Sequence, residues 1–377
     1  MKKTLLKLTV STTISLLLTA CFDGVDSVTG ANSLDVGNKS TVRKPTKNYL
    51  NVVGELNVTK PTDNQTEITA EDMVLSADGT KVFLADGSAG LKVIDVTNPK
   101  APKLVGEYDD VEDDTKENRG GFGRRIAISS DRKTVYMADG LAGLKIIDVT
   151  NPDAPSRKGK LNTDGFSHGV TVSPDGKSVY VSDNGEDGGT PGFRIINVED
   201  STDPWMIHQR AEQWATQVAI SKDGKTAYVT DKKAGILIVD VSDAENGIET
   251  LGTYKVTDGG ISADIVLSSD GKTAYVANKK PGIKILDVTD AKNPKLISKF
   301  DTDKIAKSIT LSTDGKTLFV ADRQAGVQAI NISDSKNPKL LGKVKTSSAE
   351  DVMISKDGNY LYVADGKAGL KVIKITK

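Results

Sequence analysis

The hexapeptide LKVIDV at residues 91–96 decides the fold, because variants of it occur seven times along the chain, each directly after a glycine. The seven copies read LKVIDV, LKIIDV, FRIINV, ILIVDV, IKILDV, VQAINI and LKVIKI, and they begin at Leu91, Leu144, Phe193, Ile236, Ile283, Val327 and Leu370. Self-similarity of this kind indicates one supersecondary unit that is copied many times.

A second repeated string, Ser-x-Asp-Gly-Lys with small variations, lies upstream of each hexapeptide. Its serines are Ser76, Ser129, Ser173, Ser221, Ser268, Ser312 and Ser355. The spacings between them are 53, 44, 48, 47, 44 and 43 residues. A four-stranded propeller blade takes about 40–50 residues, so the chain has room for one blade per copy.

Turn residues divide each copy into four short strands that are rich in Val, Ile and Tyr. In the first copy we predict strands A to D at residues 72–76, 81–86, 91–96 and 103–109. Strands A to C lack an alternation of apolar and polar residues, as expected for sheets whose two faces are both covered.

The last copy ends after its strand C, and its missing strand is found near the other end of the chain. Residues 52–56, VVGEL, match residues 104–108, LVGEY, yet they precede any strand A. We therefore predict an all-β fold over residues 49–377, a seven-bladed β-propeller of four-stranded antiparallel blades. The N-terminal strand would close the last blade, which removes the open sheet edges that a solenoid would keep.

The N-terminus carries an export signal. Three lysines at positions 2, 3 and 7 precede an apolar run at residues 8–18, which is too short to span a bilayer. Leu18-Thr19-Ala20-Cys21 resembles a bacterial lipobox, and this resemblance implies that Cys21 is lipidated. We expect residues 1–20 to be a signal peptide and residues 21–48 a lipidated N-terminus with a flexible linker. The lipid would anchor the protein to a bacterial membrane, facing the periplasm or the cell surface.

The amino-acid composition limits the functions that the protein can have. A formal net charge of −1 gives no indication of nucleic-acid binding. Cys21 is the only cysteine, so no intrachain disulfide can form. His168 and His208 are the only histidines, and no nucleophile elbow or phosphate-binding loop occurs. We predict a monomeric propeller without a cofactor or enzymatic activity.

The LKVIDV, LKIIDV and ILIVDV strings resemble the LVIVD-repeat propellers of bacterial and archaeal surface proteins. The Asp-Gly-Lys strings followed by Tyr-Val also resemble the blades of YVTN-type and lactonase-type propellers. The LVIVD resemblance covers roughly residues 49–377 and implies a surface-attached binding or scaffolding role. Its consensus residues build blades, so it implies no catalytic residue.

An acidic residue, or Asn278 in the fifth copy, ends strand B of every blade. The aspartates are Asp86, Asp139, Asp183, Asp231, Asp322 and Asp365. A ring of carboxylates is one interpretation. We favour a structural role, in which each side chain accepts bonds from backbone amides of the following hairpin.

Departures from the repeat point to a binding face, since a partner site must break the symmetry that the scaffold keeps. Long connections occupy residues 57–71, 109–124 and 183–192, and in a propeller all three emerge on one face. We predict that an envelope protein or glycan binds there. The candidate residues are Phe122, Arg124, Arg125, Phe166, His168 and Trp214.

The second long connection begins with an acidic run that includes Asp109, Asp110, Glu112, Asp113 and Asp114. It departs from the EF-hand pattern, so a calcium site and a mobile, solvated loop both remain open. Two alternative functions follow. One is a lactonase-like hydrolase with a divalent cation at the channel mouth, and the other is a calcium-dependent adhesin.

Overall fold

The computed structural model describes residues 49–58, 69–109, 121–185, 189–211 and 214–376. These residues form 28 strands in seven antiparallel sheets of four, which confirms the predicted seven-bladed propeller. Cys21 and the linker lie outside the described residues. Within the described ranges there is no helix long and apolar enough to span a membrane.

The strands of each blade follow the chain from strand A to strand D. Blade one holds β2 (Asp72–Leu75), β3 (Lys81–Ala85), β4 (Leu91–Asp95) and β5 (Lys103–Tyr108). Blade two holds β6 (Arg125–Ile128), β7 (Thr134–Ala138), β8 (Leu144–Asp148) and β9 (Ser156–Leu161). Blade three holds β10 (Ser167–Val172), β11 (Ser178–Asp183), β12 (Gly192–Asn197) and β13 (Trp205–Ala211). Blade four holds β14 (Ala215–Ile220), β15 (Thr226–Asp231), β16 (Gly235–Asp240) and β17 (Glu249–Tyr254).

The same order continues through the last three blades. Blade five holds β18 (Asp264–Leu267), β19 (Thr273–Asn278), β20 (Gly282–Asp287) and β21 (Lys295–Asp301). Blade six holds β22 (Ser308–Leu311), β23 (Thr317–Ala321), β24 (Val327–Asn331) and β25 (Lys339–Val344). Blade seven holds β26 (Asp351–Ile354), β27 (Tyr360–Ala364), β28 (Leu370–Ile375) and the N-terminal strand β1 (Leu50–Leu56).

The N-terminal strand closes the ring as predicted. β1 pairs antiparallel with β28, with Leu50 opposite Ile375 and Leu56 opposite Leu370. Gly54 of β1 also lies so close to the Pro99 carbonyl of blade one that any side chain there would collide with it. Blade seven is therefore completed by the other end of the chain and packs directly on blade one.

Apolar residues fill the seams between neighbouring blades. In one seam, Phe83 and Val93 of blade one pack against Ile126 and Val135 of blade two. Residues 82–85, at the centre of strand B in blade one, are all buried, as are the corresponding residues of the other blades. Burial on both faces explains why the sequence of strands A to C is nearly continuously apolar.

The ring has two chemically different faces. The face that we call the turn face carries the A-to-B turns and the C-to-D loops. The opposite face, which we call the loop face, carries the B-to-C hairpins and the D-to-A connections. Backbone bridges join these two kinds of segment between neighbouring blades, as between Gly87 and Gly123 and between Arg323 and Ala349.

Candidate functional site

A first layer of charged side chains crosses the channel mouth at the loop face. Lys307 of blade six places its Nζ 2.9 Å from Glu71 Oε2 of blade one and 2.6 Å from Glu350 Oε2 of blade seven. Burial alone would raise the pKa of Glu71, but the Lys307 ammonium, Arg124 and the Thr69 hydroxyl together outweigh it and the net shift is downward. Glu71 therefore stays charged, and the contacts of Lys307 with the two carboxylates tie three blades together.

A second layer lies one residue deeper and centres on Arg125, which is only 6% exposed. Its Nη1 lies 3.6 Å from Oδ1 of both Asp72 and Asp264, in blades one and five. The other oxygen of each aspartate accepts a backbone N–H from the next blade, at 2.6 Å from Ile126 and 3.0 Å from Ile309. These carboxylates thus bind blade to blade as well as to Arg125.

Asp351 adds a third carboxylate to the second layer and accepts a hydrogen bond from the Ser308 hydroxyl. Burial, followed by the nearby Asp351 charge, raises the pKa of Asp72 well above its ordinary value, while Arg125 opposes the shift. Burial likewise raises the pKa of Asp351. One guanidinium thus lies among three buried carboxyl groups, and the raised pKa values of Asp72 and Asp351 favour retention of a proton by this pair.

The channel beyond this second layer opens at the turn face. A cavity of about 1050 Å³ begins at Asp72, Arg125, Asp264 and Asp351 and widens between the A-to-B turns of blades four and five. This concave space thus opens opposite the face on which we predicted partner binding.

Three of the predicted site residues come together on the loop face. The Arg124 guanidinium lies 4.3 Å from the ring centroid of Phe122 and 5.4 Å from that of Phe166. Phe122 is partly exposed, whereas Phe166 is only 5% exposed. Cation–π contacts of this kind hold a guanidinium in a fixed orientation at the channel rim.

The other three predicted residues occupy different environments. His168 Nδ1 lies 3.0 Å from the Thr216 carbonyl, which assigns the proton of a neutral imidazole to Nδ1. Burial and then Arg124 and Arg125 hold the pKa of His168 well below its usual value, so the ring is neutral at pH 7. Trp214 lies beside Lys233, whose Nζ is 4.2 Å from the ring centroid. Arg125 belongs to the second layer described above and is not a surface residue.

The calcium prediction falls largely outside the described residues. Of the acidic run only Asp109 is described, and its side chain is exposed. Across the described ranges, no group of three or more His, Cys, Asp or Glu side chains is arranged to hold a metal ion. Calcium binding by residues 109–114 stays a prediction.

The LVIVD repeat pattern matches six segments of the chain, namely residues 73–110, 120–163, 214–249, 259–302, 305–346 and 347–376. Together these segments cover more than half of the sequence. The chain belongs to the LVIVD repeat family. The matches leave out residues 164–213, which contain blade three of this LVIVD propeller.

Solved structures share the fold of this LVIVD protein at low sequence identity. One is a crystal structure of a "putative 6-phosphogluconolactonase" from Bacteroides fragilis, with 16% identity and a TM-score of 0.63. The similarity covers 75% of this chain and 86% of that one. At this identity it shows the propeller fold alone. No protein of curated function matches the chain in sequence.

The aspartates that end strand B in the LVIVD blades have structural roles, although mostly not the one predicted. Asp231 accepts bonds from the Lys233 and Ala234 amides of the following hairpin, as expected. Asp365 instead accepts two amides from the preceding D-to-A connection, at Ser347 and Ser348. Asp322 likewise accepts the Lys304 amide. Asp322 and Asp365 therefore fasten the D-to-A connections to the blades.

Asp86 and Asp183 depart from this pattern, as does Asp139, whose Oδ2 lies 2.7 Å from Lys145 Nζ. Asp86 is fully buried, neither of its oxygens has a hydrogen-bond partner among the described residues, and burial raises its pKa to about 6. Asp183 is buried beside Arg194, whose Nε lies 3.3 Å from Asp183 Oδ2. Arg194 is fully buried and also donates to the carbonyls of Thr163 and Thr190. Sequence reasoning missed Arg194, although FRIINV is the one hexapeptide with arginine at its second position.

Proposed function

We propose that this LVIVD propeller is an exported, lipid-anchored protein that binds an envelope protein or glycan through its loop face, acting as a scaffold and not as an enzyme. The single observation that carries the proposal is the concentration of differences between blades on that face. Seven similar sheets form the ring, whereas the rim carries the Phe122–Arg124 pair, Trp214 beside Lys233, and loops of unequal length.

The pairing of the channel residues supports binding over catalysis. Glu71 and Glu350 share the ammonium of Lys307, and Asp72 and Asp264 share the guanidinium of Arg125. A general base must be within reach of the proton that it removes and must be able to accept it. Carboxylates that are already paired across blades stabilise the ring.

The test is capture of a partner from native envelope with the full chain as bait. Replacing Phe122 and Trp214 together by alanine should weaken binding of the captured partner by at least about 2 kcal/mol, the scale of an interface hot spot. The matched control reverses two exposed charges on the turn face, Lys225→Glu with Lys316→Glu. If the control abolishes binding and the aromatic double variant binds normally, the proposed face is wrong.

The lipid anchor has its own test. Cys21→Ser removes the acceptor thiol and leaves the apolar run at residues 8–18 unchanged. Incorporation of labelled fatty acid should disappear in this variant. Undiminished incorporation would contradict the lipoprotein assignment.

The likeness to a protein named for lactonase activity keeps the hydrolase as a second candidate. In this candidate a divalent cation would sit among the carboxylates at the channel mouth, where Lys307 now contacts Glu71 and Glu350. Calorimetric titration with Ca²⁺, Mn²⁺ and Zn²⁺, followed by a lactone hydrolysis assay, tests it. Hydrolysis that is lost in Glu71→Gln would favour the enzyme over the scaffold.

A further inference from the structure

One A-to-B turn on the turn face departs from the repeat at a position where the other six agree. The fourth residue of the turn is glycine in six blades, at positions 79, 176, 224, 271, 315 and 358, and is Arg132 in blade two. Arg132 keeps the geometry of the turn, with a φ of 58° against 67° to 77° for the glycines. This left-handed region suits glycine and disfavours a residue that has a side chain. The chain therefore places an arginine here against the preference of its own backbone.

The Arg132 side chain reaches back to the preceding blade. Its Nη1 donates to the Leu75 carbonyl of blade one at 2.9 Å, across 57 residues of sequence. A glycine has no side chain, so none of the other six turns can make a contact of this kind. Arg132 is exposed despite this contact.

Lys356 of blade seven reaches blade one from the opposite side. Its Nζ donates to the Ala77 carbonyl at 2.9 Å, although the two residues are 279 positions apart. The side chain passes close to Gly79, where an added Cβ would lie 3.1 Å from Lys356 Cβ. Blades two and seven thus each place one cation beside the end of strand A in blade one.

These two cations line a cavity of about 320 Å³ at the turn face. Its walls are partly buried apolar side chains of blades one and seven, namely Val74, Leu75, Met353 and Ile354. Ser76 and Ala77 complete the lining, so within the described part of the chain no carboxylate lines this cavity. Its volume lies within the ~300–1,000 Å³ that is typical of small-molecule sites. An apolar cavity lined by two cations fits an amphiphile with an anionic head.

Neither cation is ion-paired. Their polar contacts are the two backbone carbonyls, and neither forms a salt bridge in the described ranges. The aspartates of the same three turns, Asp78, Asp131 and Asp357, each accept a hydrogen bond from the serine of their own turn and do not line the cavity. The surrounding surface therefore carries charges of both signs, and selection of an anion depends on contact inside the cavity.

Both cations can still bind a ligand. A guanidinium has five N–H donors and an ammonium has three, so each keeps donors after its bond to the backbone. Hydrogen bonds from these groups to a carboxylate are short and strong, because both partners are charged. The two donors lie on either side of blade one and can meet the two oxygens of one carboxylate.

We infer that this cavity binds a fatty acid, whose carboxylate meets Arg132 and Lys356 and whose alkyl tail packs against the apolar walls. An alkyl tail needs no hydrogen-bond partner. A peptide segment would instead bury its amides beside walls whose only side-chain hydroxyl is that of Ser76. The inference is independent of the proposed function, because the cavity lies on the face opposite to the loop face.

The experiment uses the full chain, labelled with carbon-13 at the methionine methyl groups, and titrates it with octanoate in an NMR measurement. 1-Octanol has a similar tail without the charge, and acetate has the charge without the tail. Met353 lines this cavity and the channel cavity, whereas Met73 lines the channel cavity and not this one. A shift of the Met353 resonance without a shift of the Met73 resonance therefore locates the ligand. Met353→Leu and Met73→Leu assign the two resonances.

The cavity variant is Arg132→Gly with Lys356→Gln. Arg132→Gly installs the residue of the other six turns, so Tm should not fall. The matched control, Lys222→Gln with Lys225→Gln, removes the same charge from the A-to-B turn of blade four. All four side chains are exposed, so both variants should fold.

We expect octanoate to shift the Met353 resonance saturably and to bind at least tenfold more tightly than 1-octanol or acetate. The Kd for octanoate should rise at least tenfold in the cavity variant and less than twofold in the control. The affinity for 1-octanol should stay the same in both variants, because the apolar walls are unchanged.

An unmoved Met353 resonance, or equal binding of octanoate and 1-octanol, would overturn the inference. Retention of octanoate affinity within twofold in the cavity variant would also overturn it, since Arg132 and Lys356 would then only join blades. A shift of Met73 in place of Met353 would assign octanoate to the channel and would equally overturn it. Each of these outcomes leaves the proposed function untouched, because that function is tested by partner capture at the loop face.

Discussion

The turn face and the loop face are made from the same seven repeats, yet the turn face is nearly uniform and the loop face is not. Every A-to-B turn uses the same bonds, illustrated by Ser221, whose hydroxyl donates to Asp223 at 2.6 Å and accepts the Thr226 amide at 2.9 Å. On the loop face the blades differ in loop length, charge and aromatic content. Uniformity marks what every blade needs in order to fold, and variation marks what is available for recognition.

The largest expected effect tests the four-stranded blade, which is the feature that all seven blades share. Deleting residues 49–58 removes β1, leaves β28 with an unpaired edge and exposes the core around Leu50. Soluble expression should be lost, or Tm should fall sharply in a thermal melt. Deleting residues 23–44 should leave Tm unchanged. An unchanged Tm in the first variant would contradict ring closure.

The next largest effect concerns blade three, where the sequence difference between blades affects a buried residue. Arg194→Leu copies Leu237 of blade four and leaves Asp183 buried without its cation. We expect a loss of about 3–5 kcal/mol in the free energy of unfolding, measured with urea.

Adding Asp183→Asn to that variant copies Asn278 of blade five and should restore most of the lost stability, because no buried charge is then left unpaired. Equal losses in the single and double variants would show that Arg194 acts by filling space and not through its charge.

A pH-dependent effect comes from Asp86 in blade one. Because burial raises its pKa from 3.8 to about 6, the folded state holds this proton more tightly than the unfolded chain does. Stabilisation by protonation is therefore complete below 3.8 and is lost as the pH rises through about 6. Asp86→Asn should raise the free energy of unfolding at pH 7.5 by up to about 3 kcal/mol and change it little at pH 4.

The control for this prediction is Asp365→Asn in blade seven, where the carboxylate accepts two backbone amides. That variant should lose stability at pH 7.5. If Asp86→Asn loses stability at pH 7.5 as well, the Asp86 carboxylate has a stabilising partner in the folded protein.

The smallest expected effects on stability come from single substitutions on the two faces. Ser268→Ala removes a hydroxyl that donates to Asp270 and accepts the Thr273 amide, so it should cost about 1 kcal/mol. Ser221→Ala should cost the same, because its turn is built identically. Lys280→Gln on the loop face should stay within about 0.5 kcal/mol of the wild type. Unequal costs for the two serines, measured by urea unfolding, would show that the turns are not equivalent.

The strand pattern and the ring closure were predictable because the signals that encode them are local and repeated. Each blade is specified by a turn, an apolar run and a glycine within about 45 residues, and the seven copies reinforce one another. The match of residues 52–56 to residues 104–108 was sufficient to assign β1 to the last blade. The lipobox and the acidic insertion are equally local, and both stay predictions.

The arrangement inside the ring was not predictable. Lys307 and Glu71 are 236 residues apart and meet only because the ring closes. The depth of Arg125, the burial of Arg194 and the opening of the channel at the turn face depend in the same way on how different blades meet.

The sequence by itself determined the repeating unit, the number of blades and the strand that closes them, since periodic short-range patterns fix strands without reference to distant residues. The tertiary structure decided which charged groups pair and which are buried. Those properties depend on distances between blades, and the spacing of residues along a repeating chain does not encode such distances.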